Sequence, residues 1–385
     1  MRILALEPFY GGSHRAFLDS WIERSKHDFT LLTLPATRWK WRMRHAGVTF
    51  ADEVRRLVDE GERWEILFAT DMLNLAEFKG LAPPAVATLP SILYFHENQL
   101  TYPVREEHER DYHFAMSNIV SALAADNVWF NSGWHQDTFI DAARAFLARM
   151  PDHRRSATAE EIAAKSQVYP PGIEPVGQAT GPRRSGPLRV LWSARWEHDK
   201  GPGDFFAAIE RLDDAGVDFR LNVIGQRFAP VPSAFEQARS RFHHRIDRWG
   251  FIESRPEYEE VLRDSDMIVS TANHEFFGIA VLEAISAGCY PILPDRLSYP
   301  ELLSGYRGDV SEHLYDGSVK SLVKKLVSAA HRLKESGSIW PNGRESLADA
   351  VSHYHVNRLV PQRDTNLPVD REVTPDGIEG RPKIR

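Results

Sequence analysis

Residues 273–293 read NHEFFGIAVLEAISAGCYPIL. A short apolar run, Met267–Ser270 (MIVS), precedes the stretch, and Tyr290–Leu293 (YPIL) closes it. Between them Gly278 opens an apolar helical pattern that ends at Gly288. Two buried strands around one helix form a unit that sets its strands parallel. Glu275 then lies in the loop leaving a strand. Glu283, eight residues on, lies about two turns into the helix. The backbone at Phe277, Gly278 and Ile279 presents N–H groups and the positive end of the helix dipole, a ready site for phosphate. A carboxylate in the loop can bind a sugar, and one further along can accept from ribose hydroxyls. The plain alternative is two acids on a surface helix. The surrounding order of strand, E-F-F-G, apolar helix and G-x-x-P argues against it.

The same rhythm runs through the chain. Met1–Glu7, Phe29–Leu34, Glu65–Ala69, Ser91–Phe95 and Asn127–Asn131 are apolar runs in the first half. Helical patterns at His14–Arg24, Phe50–Gly61 and Tyr112–Ala125 fall between them. Leu188–Ala194 and Phe219–Ile224 extend the pattern into the second half. The alternation predicts an α/β fold with two Rossmann-like, doubly wound sheets, whose ligands bind beyond the carboxyl ends of the strands. Residues 170–187, PPGIEPVGQATGPRRSGP, read as a hinge. The expected organisation is a domain over 1–172, a linker over 173–187, a second domain over 188–340, and a terminal helix with a loose tail over 341–385. Ser346–Asn357 is the expected last helix, and IEGR near the end resembles a protease-recognition tetrapeptide.

Composition bounds the rest. The 385 residues carry a net charge of −7, so nucleic-acid binding must be local, through a patch. A single cysteine, Cys289, excludes a disulfide framework within the monomer and a cysteine zinc site, and fits a reducing, cytoplasmic setting. The N-terminal apolar run is too short for a signal peptide, and no run is long enough to span a bilayer.

Four further stretches carry chemistry. SARWEHDKGPGDF (193–205) follows a strand and enters a helix near Pro202, placing Arg195 and Lys200 at a strand's carboxyl end. Two cations there can neutralise a diphosphate and stabilise it as it leaves. PFYGGSHRAF (8–17) sets Gly11 and Gly12 between strand and helix, allowing close backbone approach, but without dinucleotide-binding spacing. LYFHENQLTYPV ends a strand with His96, Glu97 and Asn98, where an imidazole beside a carboxylate could orient a sugar or move a proton. It is not a zinc motif, because Leu100 stands at the second histidine position. RWKWRMRHAG (38–47) alternates Arg38, Lys40, Arg42 and Arg44 with Trp39, Trp41 and Met43. At strand spacing the cations share one face; at helical spacing they mix. Asp264-Ser-Asp266 reads as a helix end and strand entry rather than a metal motif.

Together the R-x-x-x-x-K-G and E-x-seven-E pairs after a Gly-Gly loop resemble the GT-B retaining glycosyltransferases of family four, over about residues 1–335. PFYGGSH, WKWRMR, YFHENQLTYPV and FNSGWHQD are similar to the tRNA-queuosine mannosyltransferase group. The resemblance implies a GDP-mannose donor, a queuosine-containing tRNA acceptor, no required metal and no membrane. It implies that Arg195 and Lys200 hold the diphosphate, Glu275 the hexose, Glu283 the ribose, Gly12 the phosphates and His96 the donor sugar. It implies front-face attack, with the leaving diphosphate helping to take the acceptor proton. Arg38, Trp39, Lys40, Trp41, Arg42, Arg44, Glu97 and Asn98 are the expected acceptor contacts. A lipid or polysaccharide acceptor is the rival within the family. A non-catalytic RNA-binding module and a nucleotide-sugar epimerase fit the motif pairs less well.

Overall fold

A computed structural model describes residues 1–104, 110–155, 157–178 and 185–368. The central apolar runs become strands buried on both faces, and the edge strands are partly exposed. In the first half they are β1 (Arg2–Tyr10), β2 (Asp28–Pro35), β3 (Ile66–Thr70), β4 (Ser91–Phe95), β5 (Asn127–Phe130) and β6 (Ser166–Val168). They pair in the order β2-β1-β3-β4-β5-β6. The second half has β7 (Leu188–Ser193), β8 (Phe219–Ile224), β9 (Ile246–Gly250), β10 (Met267–Val269), β11 (Tyr290–Pro294) and β12 (Leu314–Tyr315), ordered β12-β11-β10-β7-β8-β9. Every pairing among these strands is parallel. The sequence reading missed β6, β9 and β12. Each is an edge strand, short or half exposed, so none reads as an apolar run.

Side-chain alternation builds the first core on two faces. Leu4, Leu6, Leu67, Leu93 and Phe95 pack to one side, and Ile3, Ala5, Ile66, Phe68, Ile92 and Tyr94 to the other. Burying each large apolar chain contributes about 1.5–3 kcal/mol. Chain order reverses between β1 and β3, and again between β7 and β10. Such reversals open a crevice at the carboxyl ends of the strands. The Gly11–Gly12 loop and His96 come off the first crevice, and Arg195, Lys200 and Glu275 off the second.

The C-terminal region differs from expectation. In place of one helix over 346–357 there are a short helix Glu345–Ala350, a 3₁₀ turn Ser352–Tyr354 and a helix Val356–Thr365. The turn and helices form because Tyr354 and Val356 exchange backbone hydrogen bonds with Ile173, each 3.0 Å. That pairing turns the chain back toward the first half. There Val360 and Leu367 join the core beside Phe17 and Trp21. Arg363, 1 % exposed, stacks its guanidinium 4.6 Å from the Phe17 ring centroid and donates to the carbonyls of Pro170 and Pro171. Asp364 accepts from Trp21 Nε1 (2.9 Å), Ser25 Oγ (2.8 Å) and Lys26 N (2.9 Å). The segment thus carries buried polar groups that a loose tail would not. The IEGR tetrapeptide and part of the expected linker lie outside the described residues.

Candidate active site

Lys200 closes a 3₁₀ turn, His198–Lys200, before the helix Pro202–Asp214. Gly201 links them with φ 62°, and a Cβ there would lie 2.2 Å from Thr271 O. That contact presses the loop after β7 onto the loop after β10. Lys200 Nζ then donates to His274 O (2.7 Å) and pairs with Glu275 Oε2 (3.4 Å) and Asp199 Oδ2 (3.1 Å). The ammonium is 5 % exposed, so its charge is held by these oxygens. Burial, then the neighbouring Lys200, push His274 down to about 4, so it is neutral at physiological pH. Arg195 lies beside this group. Its guanidinium pairs with Glu197 (3.2 Å) and donates to Tyr102 Oη of the first half (3.4 Å). The loop therefore brings together two cations and Glu275 at the crossover of β7 and β10.

The turn Glu275–Gly278 enters the helix Ile279–Ser286. Gly278 adopts φ 107°, which favours glycine, and Glu275 accepts from Phe277 N at 3.5 Å. The Phe277 side chain is core, 5.5 Å from the Tyr354 ring, so only its backbone faces the site. Glu283 accepts from Arg255 Nη1 (2.6 Å) and Tyr258 Oη (2.9 Å). Burial and the adjacent Glu283 raise the Tyr258 phenol well above its usual range, keeping it a donor. Sequence reasoning missed Arg255 and Tyr258. The available signal was R-P-E-Y-E-E, an aromatic donor and an arginine opening a polar helix near the site.

The first half contributes a buried ionisable cluster. Glu7 ends the apolar run of β1 and is 0 % exposed. Its Oε2 lies 3.2 Å from His14 Nδ1. Burial opposes charge on His14, but Glu7 outweighs it and raises the pKa to about 9. The His14 ring stacks on His96 at 4.0 Å. Burial, then charged His14, hold His96 well below the usual range, so it is neutral. His96 N donates to Asp71 Oδ1 at 2.9 Å. Burial raises the carboxyls of Asp71 and Glu97. Glu7, His14 and Asp71 were not singled out from sequence. Glu7 and His14 are seven residues apart, and Asp71 and His96 join them only through the order β1-β3-β4. Glu7, His14 and His96 bring potential ligand atoms within 4.8 Å of one another, but the charged His14 already occupies Glu7.

Three expected contacts change character. Asn98 is 0 % exposed and spends its amide on Leu100 N, Thr101 and His135, so it shapes the loop. A Cβ on Gly11 would lie 2.5 Å from Ala36 Cβ, so Gly11 serves packing, whereas Gly12 has open space and φ 53°. The basic stretch is not a strand. It opens the helix Trp39–Asp59, with Arg38 in the left-handed region at φ 53°. Met43, Ala46, Gly47, Phe50, Ala51 and Val54 are its buried residues, at helical spacing. That pattern becomes visible only when 38–47 is read together with 50–59. Trp39 is half-buried, 5.2 Å from Phe114, and Arg44 lies 4.6 Å from the same ring. Trp41 is 59 % exposed and stacks on His45 at 4.9 Å. Arg38, Lys40 and Arg44 are exposed and Arg42 half-buried. The helix's apolar face is spent on the protein. Among the described residues no helix is long and apolar enough to cross a membrane.

The halves meet at the helix Gly133–Ala148. Ser132 caps it by accepting from His135 N (3.0 Å) and donates to Phe276 O (2.6 Å). Glu301, from the second half, accepts from Gly133 N (3.0 Å) and Trp134 N (3.2 Å). The donor-side loop is therefore tied directly to a first-half helix terminus.

Comparison with known proteins gives two family matches. Residues 2–173 match the family model described as tRNA-queuosine alpha-mannosyltransferase N-terminal, and residues 178–339 match glycosyl transferases group 1. A Drosophila melanogaster tRNA-queuosine alpha-mannosyltransferase is 38 % identical over 335 residues, covering 84 % of this chain and 85 % of that protein. A GDP-mannose-dependent alpha-(1-6)-phosphatidylinositol dimannoside mannosyltransferase of Mycobacterium tuberculosis is 27 % identical over 125 residues, 32 % of each chain. Among solved structures, Anabaena HepE in complex with UDP superposes with TM-score 0.68 at 15 % identity, covering 95 % of this chain and 99 % of that one. That likeness gives the GT-B fold.

Proposed function

The chain belongs to the tRNA-queuosine alpha-mannosyltransferases, and we propose that it moves mannose from GDP-mannose onto queuosine in tRNA. The observation that carries this is the group at the β7–β10 crossover. Lys200 is paired with Glu275 at 3.4 Å, and Arg195 beside it reaches Tyr102 of the first half. A diphosphate bound by Lys200, Arg195 and the N–H groups at Phe277–Ile279 would leave as an anion stabilised where its charge develops. Those two cations supply the charge that a metal supplies in other transferases. Glu275 would take hydroxyls of the hexose. Glu283, oriented by Arg255 and Tyr258, would take those of the ribose. GDP-mannose is favoured by the mycobacterial relative, which uses that donor. Gly12 would lend backbone near the phosphates. His96 would stand where hexose and acceptor meet. Transfer is read as front-face, with a departing phosphate oxygen taking the acceptor proton. A cytoplasmic setting belongs to the same proposal.

The helix Trp39–Asp59 would meet the RNA. Arg38, Lys40, Arg42 and Arg44 offer phosphate contacts, and exposed Trp41 offers a face for an unpaired base. Trp39 anchors the helix to Phe114 instead of stacking on RNA. Reversing charge at Arg42 and Arg44 together should weaken tRNA binding by at least about tenfold and reduce the salt slope by about 2. GDP-mannose affinity, measured separately, should stay within about twofold, since these are phosphate contacts to RNA. Unchanged tRNA binding would leave the stretch a solvated helix end.

The deciding assay mixes the purified protein with GDP-mannose, or UDP-glucose as control, and tRNA with or without queuosine. A gain of one hexose on the modified nucleoside, only with queuosine and GDP-mannose, is the expected result. Donor hydrolysis without an RNA product would refute it.

A further inference from the structure

The loop after β4 reaches the second half at Tyr102, and hydrogen bonds hold its course. Asn98 Oδ1 accepts from Leu100 N (3.0 Å) and Thr101 N (2.9 Å), and Gln99 N donates to Asn118 Oδ1 (2.8 Å). Tyr102 N donates to Asn98 O (3.1 Å), and Arg110 Nη1 donates to the carbonyls of Gln99 (3.2 Å) and Tyr102 (2.9 Å). The Tyr102 ring then lies 5.5 Å from that of His274 and 6.4 Å from that of Phe276, the two neighbours of Glu275 in sequence. The bond from Ser132 Oγ to Phe276 O belongs to the same seam. Tyr102 Oη accepts from Arg195 Nη2 at 3.4 Å. The other edge of that guanidinium, Nε, pairs with Glu197 at 3.2 Å, within its own loop. Arg195 is thus held from two sides, by a carboxylate of its own half and by a phenol of the other. Burial raises the Tyr102 phenol to about 12, so it stays neutral and holds the guanidinium without cancelling its charge.

We propose that Tyr102 is a positioning residue that sets the Arg195 guanidinium on the departing diphosphate from the opposite half of the protein. This rests on the function proposed above and adds how the reaction is tied to the contact between the halves. A guanidinium held only by Glu197 can turn about its Cδ–Nε bond, which leaves its Nη donors without a fixed aim. The phenol of Tyr102 stops that rotation. Charge on the diphosphate grows only as the sugar leaves, so a donor aimed in advance acts on the transition state more than on the bound nucleotide sugar. The aim comes from the half whose helix Trp39–Asp59 offers the contacts to RNA. With the halves apart, Lys200 still holds the donor, but Arg195 is not set on its leaving group. Loss of the sugar to water is thereby limited.

The test is a double-mutant cycle on the whole protein. Tyr102→Phe keeps the ring beside His274 and Phe276 and removes only the hydroxyl. With GDP-mannose and queuosine tRNA it should lower kcat about tenfold, the size of one hydrogen bond to a charged group, and leave the KM for GDP-mannose within about twofold. In the Arg195→Ala background the same substitution should cost about twofold or less, since the guanidinium it serves is gone. Equal losses in the two backgrounds would mark a structural role for Tyr102 and overturn the proposal. A kcat within about twofold of wild type, or a loss confined to KM, would overturn it as well. The affinity for GDP alone, without RNA, follows the charge of the leaving group independently of any acceptor. Tyr102→Phe should weaken it about fivefold in the wild-type background and leave it unchanged in Arg195→Ala. If the wild type transfers no hexose while this coupling holds, the proposed reaction falls and the positioning role stands. Transfer without coupling in either measurement does the reverse.

Discussion

Arg195→Ala is expected to lower the rate of hexose transfer by about 10²- to 10³-fold, the usual loss when one preorganised charge at a leaving group is removed. The structure makes this a clean variant. The Arg195 side chain is 42 % exposed and its guanidinium pairs with Glu197 and Tyr102, so the fold should survive its loss. Lys200 is the poorer choice for the same test. It is buried under the His274 carbonyl and between Asp199 and Glu275. Removing it would leave two acids facing each other and disturb the loop. Arg195→Lys should recover only part of the rate, because an ammonium cannot present the guanidinium's fork of donors. Single-turnover measurements with GDP-mannose and queuosine tRNA would separate the chemical step from tRNA binding. A loss of less than about tenfold would remove Arg195 from the transition-state contacts.

The second large effect is on stability. Asp364→Ala should cost about 3 kcal/mol, because it strands the buried donor of Trp21 and the partly buried donors of Ser25 and Lys26 at once. Thermal unfolding followed through tryptophan fluorescence should begin roughly 5 °C lower or more. Trp21 itself reports the change, since its indole N–H loses its acceptor. Asp364→Asn keeps one acceptor oxygen and should fall between. An unaltered unfolding curve would show that the helix Val356–Thr365 is not fastened through this carboxylate.

The strand–helix alternation and the motif pairs were readable because each depends on neighbours in sequence. A strand buried on both faces is an apolar run, as in Ser91–Phe95. A phosphate-binding turn needs glycine at a fixed place, as at Gly278. What was hidden depends on partners far along the chain. Glu7, His14 and Asp71 become a cluster only when β1 and β3 lie side by side. Glu301 looks like a surface acid until the helix Gly133–Ala148 is set against it. The helix over the basic stretch stayed hidden because alternation over its first turns imitates a strand, while its core face starts at Met43 and runs on to Val54. The terminal helix carries Pro361 and many polar residues. Its buried face joins Val356, Leu359 and Val360 to Arg363 and Asp364, and the two charged members mask the apolar pattern.

That terminal helix bears on the order of synthesis. Ile173 and His355 lie side by side where the chain leaves the first half and where it returns. The second half is thus an insertion between two segments of the first. A ribosome-bound chain arrested before residue 355 should resist protease over its second half yet be cut within its first. Val360 and Leu367 are part of the core that covers Trp21 and Phe68. The first half is therefore sealed only after the second has been made, by the helix Val356–Thr365.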